Sequence, residues 1–151
     1  MIEVGKTAPD FILKDQDEKE VKLSEYKGKK VLLSWHPLAW TSICAAQMAA
    51  LEENFARLAA LNIIPLGLSV DSFACKKAWA SVLSIKKLRL LADFWPHGDV
   101  SSQYGVFFNK FGFSKRANVL IDERGIVVWS KEYPTKQLPD LEEIINFVNK
   151  K

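Results

Sequence analysis

Apolar and polar positions along this chain follow two periods. Short apolar runs bounded by turn residues mark strands, and stripes at steps of three and four mark helices. Residues 11–13 form a short strand, with Pro9 before it and the polar stretch 15–20 after it as turn or surface segments. Gly28, between Lys27 and Lys29, marks a turn. Val31-Leu32-Leu33-Ser34-Trp35 reads as a buried strand, ended by Pro37. Met48, Leu51, Phe55 and Leu58 then recur at helical steps and put one apolar stripe on a long helix. Residues 63–70 predict a second buried strand and 74–83 a helix. A short strand at 88–91 precedes polar loops around Pro96-His97-Gly98. Residues 118–121 and 126–129 predict two strands joined by a hairpin loop, Asp122-Glu123-Arg124-Gly125, where Gly125 suits a positive φ. Leu138, Leu141, Ile145 and Val148 form the stripe of a closing helix. Its Pro139-Asp140 start and Lys150-Lys151 end suit the helix dipole.

Strand, helix, strand, helix, then a hairpin and a helix is an α/β plan. A right-handed crossover makes the first two buried strands parallel. The 151 residues fit one domain, 1–151, with no linker or repeat. Hydrophobic residues are 48% and charged residues 26%, which excludes disordered and collagen-like chains. The net charge of +3, from 21 basic and 18 acidic residues, is too mild and too evenly spread to argue for nucleic acid. The opening Met1-Ile2-Glu3-Val4-Gly5-Lys6 lacks a basic region followed by an apolar stretch, so no secretory signal is expected. The most apolar stretch, 58–70, contains Asn62, Pro65 and Gly67 and falls short of the roughly 20 residues of a membrane span. The expectation is a soluble cytoplasmic protein without membrane partners.

Two cysteines, Cys44 and Cys75, are too few for a disulfide scaffold or a cysteine-based zinc site. They suffice for one redox pair, or for one reactive thiol and a bystander. Cys44 ends the stretch His36-Pro37-Leu38-Ala39-Trp40-Thr41-Ser42-Ile43-Cys44, which runs from the carboxyl end of a buried strand into a helix. Ligands of open α/β sheets bind at that edge. Unpaired N–H groups and the positive end of the helix dipole there stabilise a thiolate. Thr41, three residues earlier, shares a helix side with the sulfur. Position alone also admits a plain core cysteine, because Cys44 continues the stripe of Met48. Thr41 equally suits a helix N-cap, Pro37 a strand terminator, and Arg116 a surface cation before a strand.

The spacing Pro37, Thr41, Cys44 resembles the active-site signature of peroxiredoxins, the thiol peroxidases of the alkyl hydroperoxide reductase and thiol-specific antioxidant group. The likeness covers most of the chain. Val4-Gly5-Lys6-Thr7-Ala8-Pro9-Asp10-Phe11, Leu68-Ser69-Val70-Asp71-Ser72 with Lys77-Ala78-Trp79, Tyr104-Gly105-Val106 and Arg116-Ala117-Asn118-Val119-Leu120-Ile121-Asp122 look like the family's landmarks in order. The resemblance is to the bacterioferritin comigratory protein-like or one-cysteine-like subgroup. It implies a thioredoxin-like fold, with a central mixed β-sheet flanked by helices. It implies reduction of hydrogen peroxide and organic hydroperoxides in antioxidant defence, with a thiol reductant such as thioredoxin or a small thiol. A homodimer and no cofactor are also implied. Cys44 would be the peroxidatic nucleophile that becomes a sulfenic acid. Thr41 and the Cys44 N–H would align the peroxide oxygens. Arg116 would stabilise the thiolate and the departing oxygen, and Pro37 would wall the pocket. One departure is Gln47, where many members carry Glu; it can still hydrogen-bond an arginine but brings no charge.

Cys75 leaves three readings open: it resolves Cys44 within the chain, it is inert, or it pairs across a dimer. Ala49 excludes the subgroup whose second cysteine lies five residues after the first. Lys76 and Lys77 would favour a Cys75 thiolate, although such pairs are usually solvated surface. His36 and His97 match no zinc spacing. Trp35 is expected in the core, and Trp40 and Trp95 on an exposed aromatic patch suited to a dimer interface. Two other functions compete. A thioredoxin-like disulfide oxidoreductase is disfavoured because Cys44-Ala45-Ala46-Gln47 lacks a second cysteine. A non-catalytic redox-sensing or chaperone-like module is disfavoured by the intact Pro37, Thr41, Cys44, Arg116 set.

Overall fold

A computed structural model describes residues 1–150. An N-terminal hairpin, β1 (Ile12–Lys14) and β2 (Glu20–Lys22), leads through a turn of 3₁₀ helix to β3 (Lys30–Trp35). Then follow α1 (Ser42–Glu53), α2 (Phe55–Ala60), β4 (Ile63–Ser69), α3 (Phe73–Val82), β5 (Arg89–Ala92) and α4 (Asp99–Gln103). A small hairpin, β6 (Phe107–Phe108) with β7 (Phe113–Ser114), precedes β8 (Arg116–Ile121), β9 (Val127–Tyr133) and α5 (Leu141–Asn149). The main sheet has seven strands in the order β2-β1-β5-β4-β3-β8-β9. As expected, β3 and β4 are parallel; β5 joins them in parallel, while β8 runs antiparallel to β3. This is a mixed sheet flanked by helices. Among the described residues, no helix is long and apolar enough to cross a membrane.

The period of two in β3 builds both sides of the core. Val31, Leu33 and Trp35 face a cluster with Phe11, Val100, Tyr104 and Val119. Leu32 faces the opposite cluster, where Cys44, Met48, Leu58, Trp79 and Ile144 bring α1, α2, α3 and α5 together. Ser34 and Asn118, paired across β3 and β8, lie on this second face.

Several boundaries differ from the sequence pattern. The long helix breaks at Asn54, whose backbone N and side-chain Nδ2 both donate to the Ala50 carbonyl, so α2 starts afresh. Pro96-His97-Gly98 is a turn, as the pattern predicts; the short α4 that begins directly after it, with Gly98 at φ 71 as its N-cap, is the element the pattern does not show. The 107–114 hairpin is too short to carry a period. Gly125 takes the positive φ its hairpin requires.

Candidate active site

The end of β3 delivers His36 and Pro37, both buried, to the carboxyl edge of the sheet. Leu38 and Trp40 are exposed on the loop that follows, and α1 then begins. The loop is held from below: Asp71, just after β4, accepts from the Ala39 N–H at 2.8 Å and from the Ser69 hydroxyl at 2.6 Å. Trp40 sits at φ 68, a left-handed conformation costly for a bulky residue, so this anchor holds a strained turn.

Thr41 occupies the N-cap of α1, but its hydroxyl does not cap the helix. It donates instead to the Leu38 carbonyl at 2.7 Å. The N–H groups of Ser42, Ile43 and Cys44 consequently have no protein acceptor, and the first turn of α1 offers free donors beside Cys44. Cys44 is 1% exposed, on the buried side of the helix.

Arg116, the first residue of β8, is 3% exposed rather than a surface cation. Its Nη1 reaches Cys44 Sγ at 3.4 Å and donates to Gln47 Oε1 at 2.7 Å. Its Nε and Nη2 donate to the Thr135 carbonyl at 3.1 and 2.7 Å. Gln47 in turn donates to Ser34 Oγ at 2.8 Å and to the Trp35 carbonyl at 3.1 Å. The neutral amide thus orients the guanidinium as a carboxylate would, without a second anion. Pro37, Thr41 and Cys44 lie on the strand-to-helix turn at the carboxyl edge of β3, and Arg116, at the start of antiparallel β8, reaches Cys44 there. The Thr135 and Asp71 contacts are not signalled by the sequence pattern. Thr135 acts through its carbonyl and has no side-chain signature; Asp71 stood only among the landmark residues.

Cys75, in the first turn of α3, is half-buried, unbridged, and packed against the cluster that holds Cys44. Its Sγ lies 3.9 Å from Asp71 Oδ1. Burial and the Asp71 charge push its thiol up, against smaller opposing effects of Trp40 and Lys76. The pair Lys76–Lys77 was expected to be solvated and, if anything, to favour a Cys75 thiolate. Solvation fails at Lys76, which is wholly buried while Lys77 is exposed, but the direction on Cys75 holds, since Lys76 acts to lower its thiol. Lys76 Nζ lies 3.4 Å from His36 Nε2. Trp35 is buried and Trp40 and Trp95 are exposed, as read from the sequence.

Comparison with known proteins agrees with this geometry. The model of the AhpC/TSA family matches residues 4–130. Over 128 residues the chain is 40% identical to alkyl hydroperoxide reductase E of Mycobacterium tuberculosis, spanning 84% of this chain and 83% of that protein. It is 30% identical over 159 residues to the mitochondrial thioredoxin-dependent peroxide reductase of Drosophila melanogaster, spanning 97% of this chain and 66% of that protein. The crystal structure of reduced Plasmodium vivax 2-Cys peroxiredoxin superimposes with a TM-score of 0.90 at 31% identity, covering 99% of this chain and 81% of that one. The chain therefore belongs to the AhpC/TSA family, with peroxiredoxins and alkyl hydroperoxide reductases as its relatives.

Proposed function

We propose that this protein is a thiol-dependent peroxidase in which Cys44 attacks hydrogen peroxide or an organic hydroperoxide. The observation that carries the assignment is Arg116 Nη1 at 3.4 Å from Cys44 Sγ, beside unused N–H groups of α1. The Cys44 thiolate attacks the terminal peroxide oxygen. The O–O bond breaks, the sulfur is oxidised to a sulfenic acid, and the departing oxygen leaves as water or alcohol after taking a proton. Arg116 and the helix N–H groups stabilise the negative charge that passes from sulfur to oxygen. Pro37 walls the sulfur from water. Thr41 positions the peroxide, its hydroxyl oriented by the Leu38 carbonyl.

An external thiol closes the cycle: it condenses with the sulfenic acid, releasing water and forming a mixed disulfide, which a second thiol reduces. Thioredoxin or a small thiol fits this role, and the Drosophila relative is named for dependence on thioredoxin. Cys75 is a bystander in this scheme, since burial and the Asp71 charge disfavour its thiolate. The exposed Trp40, Trp95, Phe94 and Phe111 supply apolar surface for a homodimer. Two unbridged thiols suit a cytosolic setting.

The test is rapid mixing of reduced protein with peroxide, followed by tryptophan fluorescence and mass spectrometry. A fast change that Cys44→Ser abolishes, and a product heavier by one oxygen at Cys44, are expected. Reaction no faster than that of a free thiol would overturn the peroxidase assignment. A Cys44–Cys75 bridge in the oxidised protein would overturn the external-thiol step.

A further inference from the structure

Lys76 is the one wholly buried lysine among the described residues, and the chemistry above makes no use of it. Lysine is almost never fully buried without a counter-charge, because removing an ammonium from water is expensive. Here no carboxylate lies within ion-pair distance; its hydrogen-bond partner is His36 Nε2 at 3.4 Å. The ammonium has only donors, so Nε2 accepts and the ring proton is assigned to Nδ1. Nδ1 is buried and makes no well-formed hydrogen bond, with the Leu38 backbone near the ring.

The placement is directed at Cys44. His36 follows β3 directly, on the face shared by Leu32 and Ser34, which is the Cys44 side of the sheet. Burial first, then Lys76 and Arg116, hold the His36 imidazole well below its ordinary value, so it is neutral and faces both cations. The groups facing Lys76 come from several elements: Asp71 after β4, Cys75 on α3, Cys44 on α1, Asp93 after β5, and His36 after β3. Asp93 is occupied by the Val100 and Ser101 N–H groups and the Ser101 hydroxyl, and Asp71 by Ala39 and Ser69. Both carboxylates attract the ammonium through space, but neither reaches ion-pair distance, and burial outweighs them.

We propose that Lys76 is a positioning residue for Cys44: buried against His36 on the Cys44 side of the sheet, it adds a second positive charge to that of Arg116 and so favours the reactive thiolate. This rests on the assignment of Cys44 as the peroxide-reducing thiol. Lys76 touches neither sulfur nor substrate. It acts through the field and through the tautomer it imposes on His36.

The experiment uses Cys75→Ser protein, so that Cys44 is the thiol observed, with and without Lys76→Met. The rate of alkylation by a neutral electrophile is followed from acid to alkaline pH, and peroxide reactivity by stopped-flow fluorescence. Lys76→Met is expected to raise the pH midpoint of Cys44 alkylation by about one pH unit and to slow the peroxide reaction about tenfold at neutral pH. A purely structural lysine would leave the midpoint in place, and an unmoved midpoint overturns the proposal. Should Lys76→Met fail to fold, isotope-labelled Lys76 is titrated by NMR in protein with and without Cys44→Ser. Coupling is reciprocal, so losing the Cys44 thiolate must lower the Lys76 midpoint, and no change overturns the proposal. If Cys44 reacts with peroxide no faster than a free thiol while its alkylation midpoint still follows Lys76, the peroxidase assignment fails and this electrostatic coupling stands.

Discussion

Replacing Lys76 with methionine should make the protein more stable at neutral pH. Burial takes the Lys76 ammonium from 10.5 down to about 8, with the attraction of Asp71, Cys75, Cys44 and Asp93 already included. One pH unit of such displacement is worth about 1.4 kcal/mol, so the folded state bears a cost of about 3 kcal/mol for keeping this group charged. The sign follows from proton counts. The unfolded chain holds the proton up to about 10.5 and the folded chain only to about 8, so the cost is full below pH 8. It shrinks between those values and is gone above 10.5. Methionine fills nearly the same space but leaves His36 Nε2 unpaired, which returns about 1 kcal/mol. The net gain at pH 7 is about 2 kcal/mol, or about 4–8 °C in Tm for a domain of this size. Urea denaturation of both proteins at pH 7 and at about pH 10 checks it. The gain should be present at pH 7 and largely absent near pH 10. A variant less stable than the parent at pH 7, or a gain that does not depend on pH, would refute the reasoning.

His36 adds a slope of the same sign on the acid side, because it too is lowered on folding. Its imidazole, held well below 6.5 when folded, charges first in the unfolded chain, so its contribution is full above pH 6.5 and lost as pH falls. Thermal melts from pH 7 to 5 should show a steeper loss for the parent than for His36→Gln, and equal slopes would count against it. Arg116→Met removes a charge 3.4 Å from the sulfur, a gross attraction of about 5 kcal/mol at an effective dielectric of about 20. After hydration offsets, the peroxide rate should fall at least about a hundredfold. Arg116→Lys should recover little, because a lysine cannot hold Sγ, Gln47 and the Thr135 carbonyl together. Stopped-flow rates near those of the parent would contradict both. Asp71→Asn keeps an acceptor for Ala39 but removes a charge that raises the Cys75 thiol. In Cys44→Ser protein, Cys75 should then alkylate at lower pH, and an unchanged midpoint would show that burial alone sets it.

The parts of the site that the sequence made legible are those whose position follows from periodicity and turn chemistry. Pro37 ends a strand and Cys44 sits in the first turn of a helix, so both had to reach the carboxyl edge of the sheet. Arg116 was legible only through resemblance, since its burial depends on strand pairing across the sheet. Lys76 departs from the usual solvated lysine pair, and the pattern holds a signal of it: Lys76, Trp79 and Ala80 fall at helical steps, and all three are buried. Its neighbour Lys77, one step round the helix, is exposed. Thr135, a backbone acceptor beyond β9, leaves no trace in side-chain pattern at all.

Gln47 and Lys76 push the site in the same direction. Gln47 Oε1 and Cys44 Sγ share one guanidinium nitrogen, at 2.7 and 3.4 Å. Gln47→Glu would therefore place an anion about as close to Nη1 as the sulfur is. The carboxylate would bind Arg116 more tightly than the amide does, and it would repel the thiolate across a buried, weakly screened space. The alkylation midpoint of Cys44 should rise by about one pH unit, with the peroxide rate at neutral pH falling about tenfold. Lys76 lies beyond His36 and shares no hydrogen bond with Gln47, so Lys76→Met and Gln47→Glu should add almost independently in the double variant. An unmoved or lowered midpoint in Gln47→Glu would mean that Arg116 absorbs the added charge. The neutral amide would then be a matter of packing rather than of the field at Cys44.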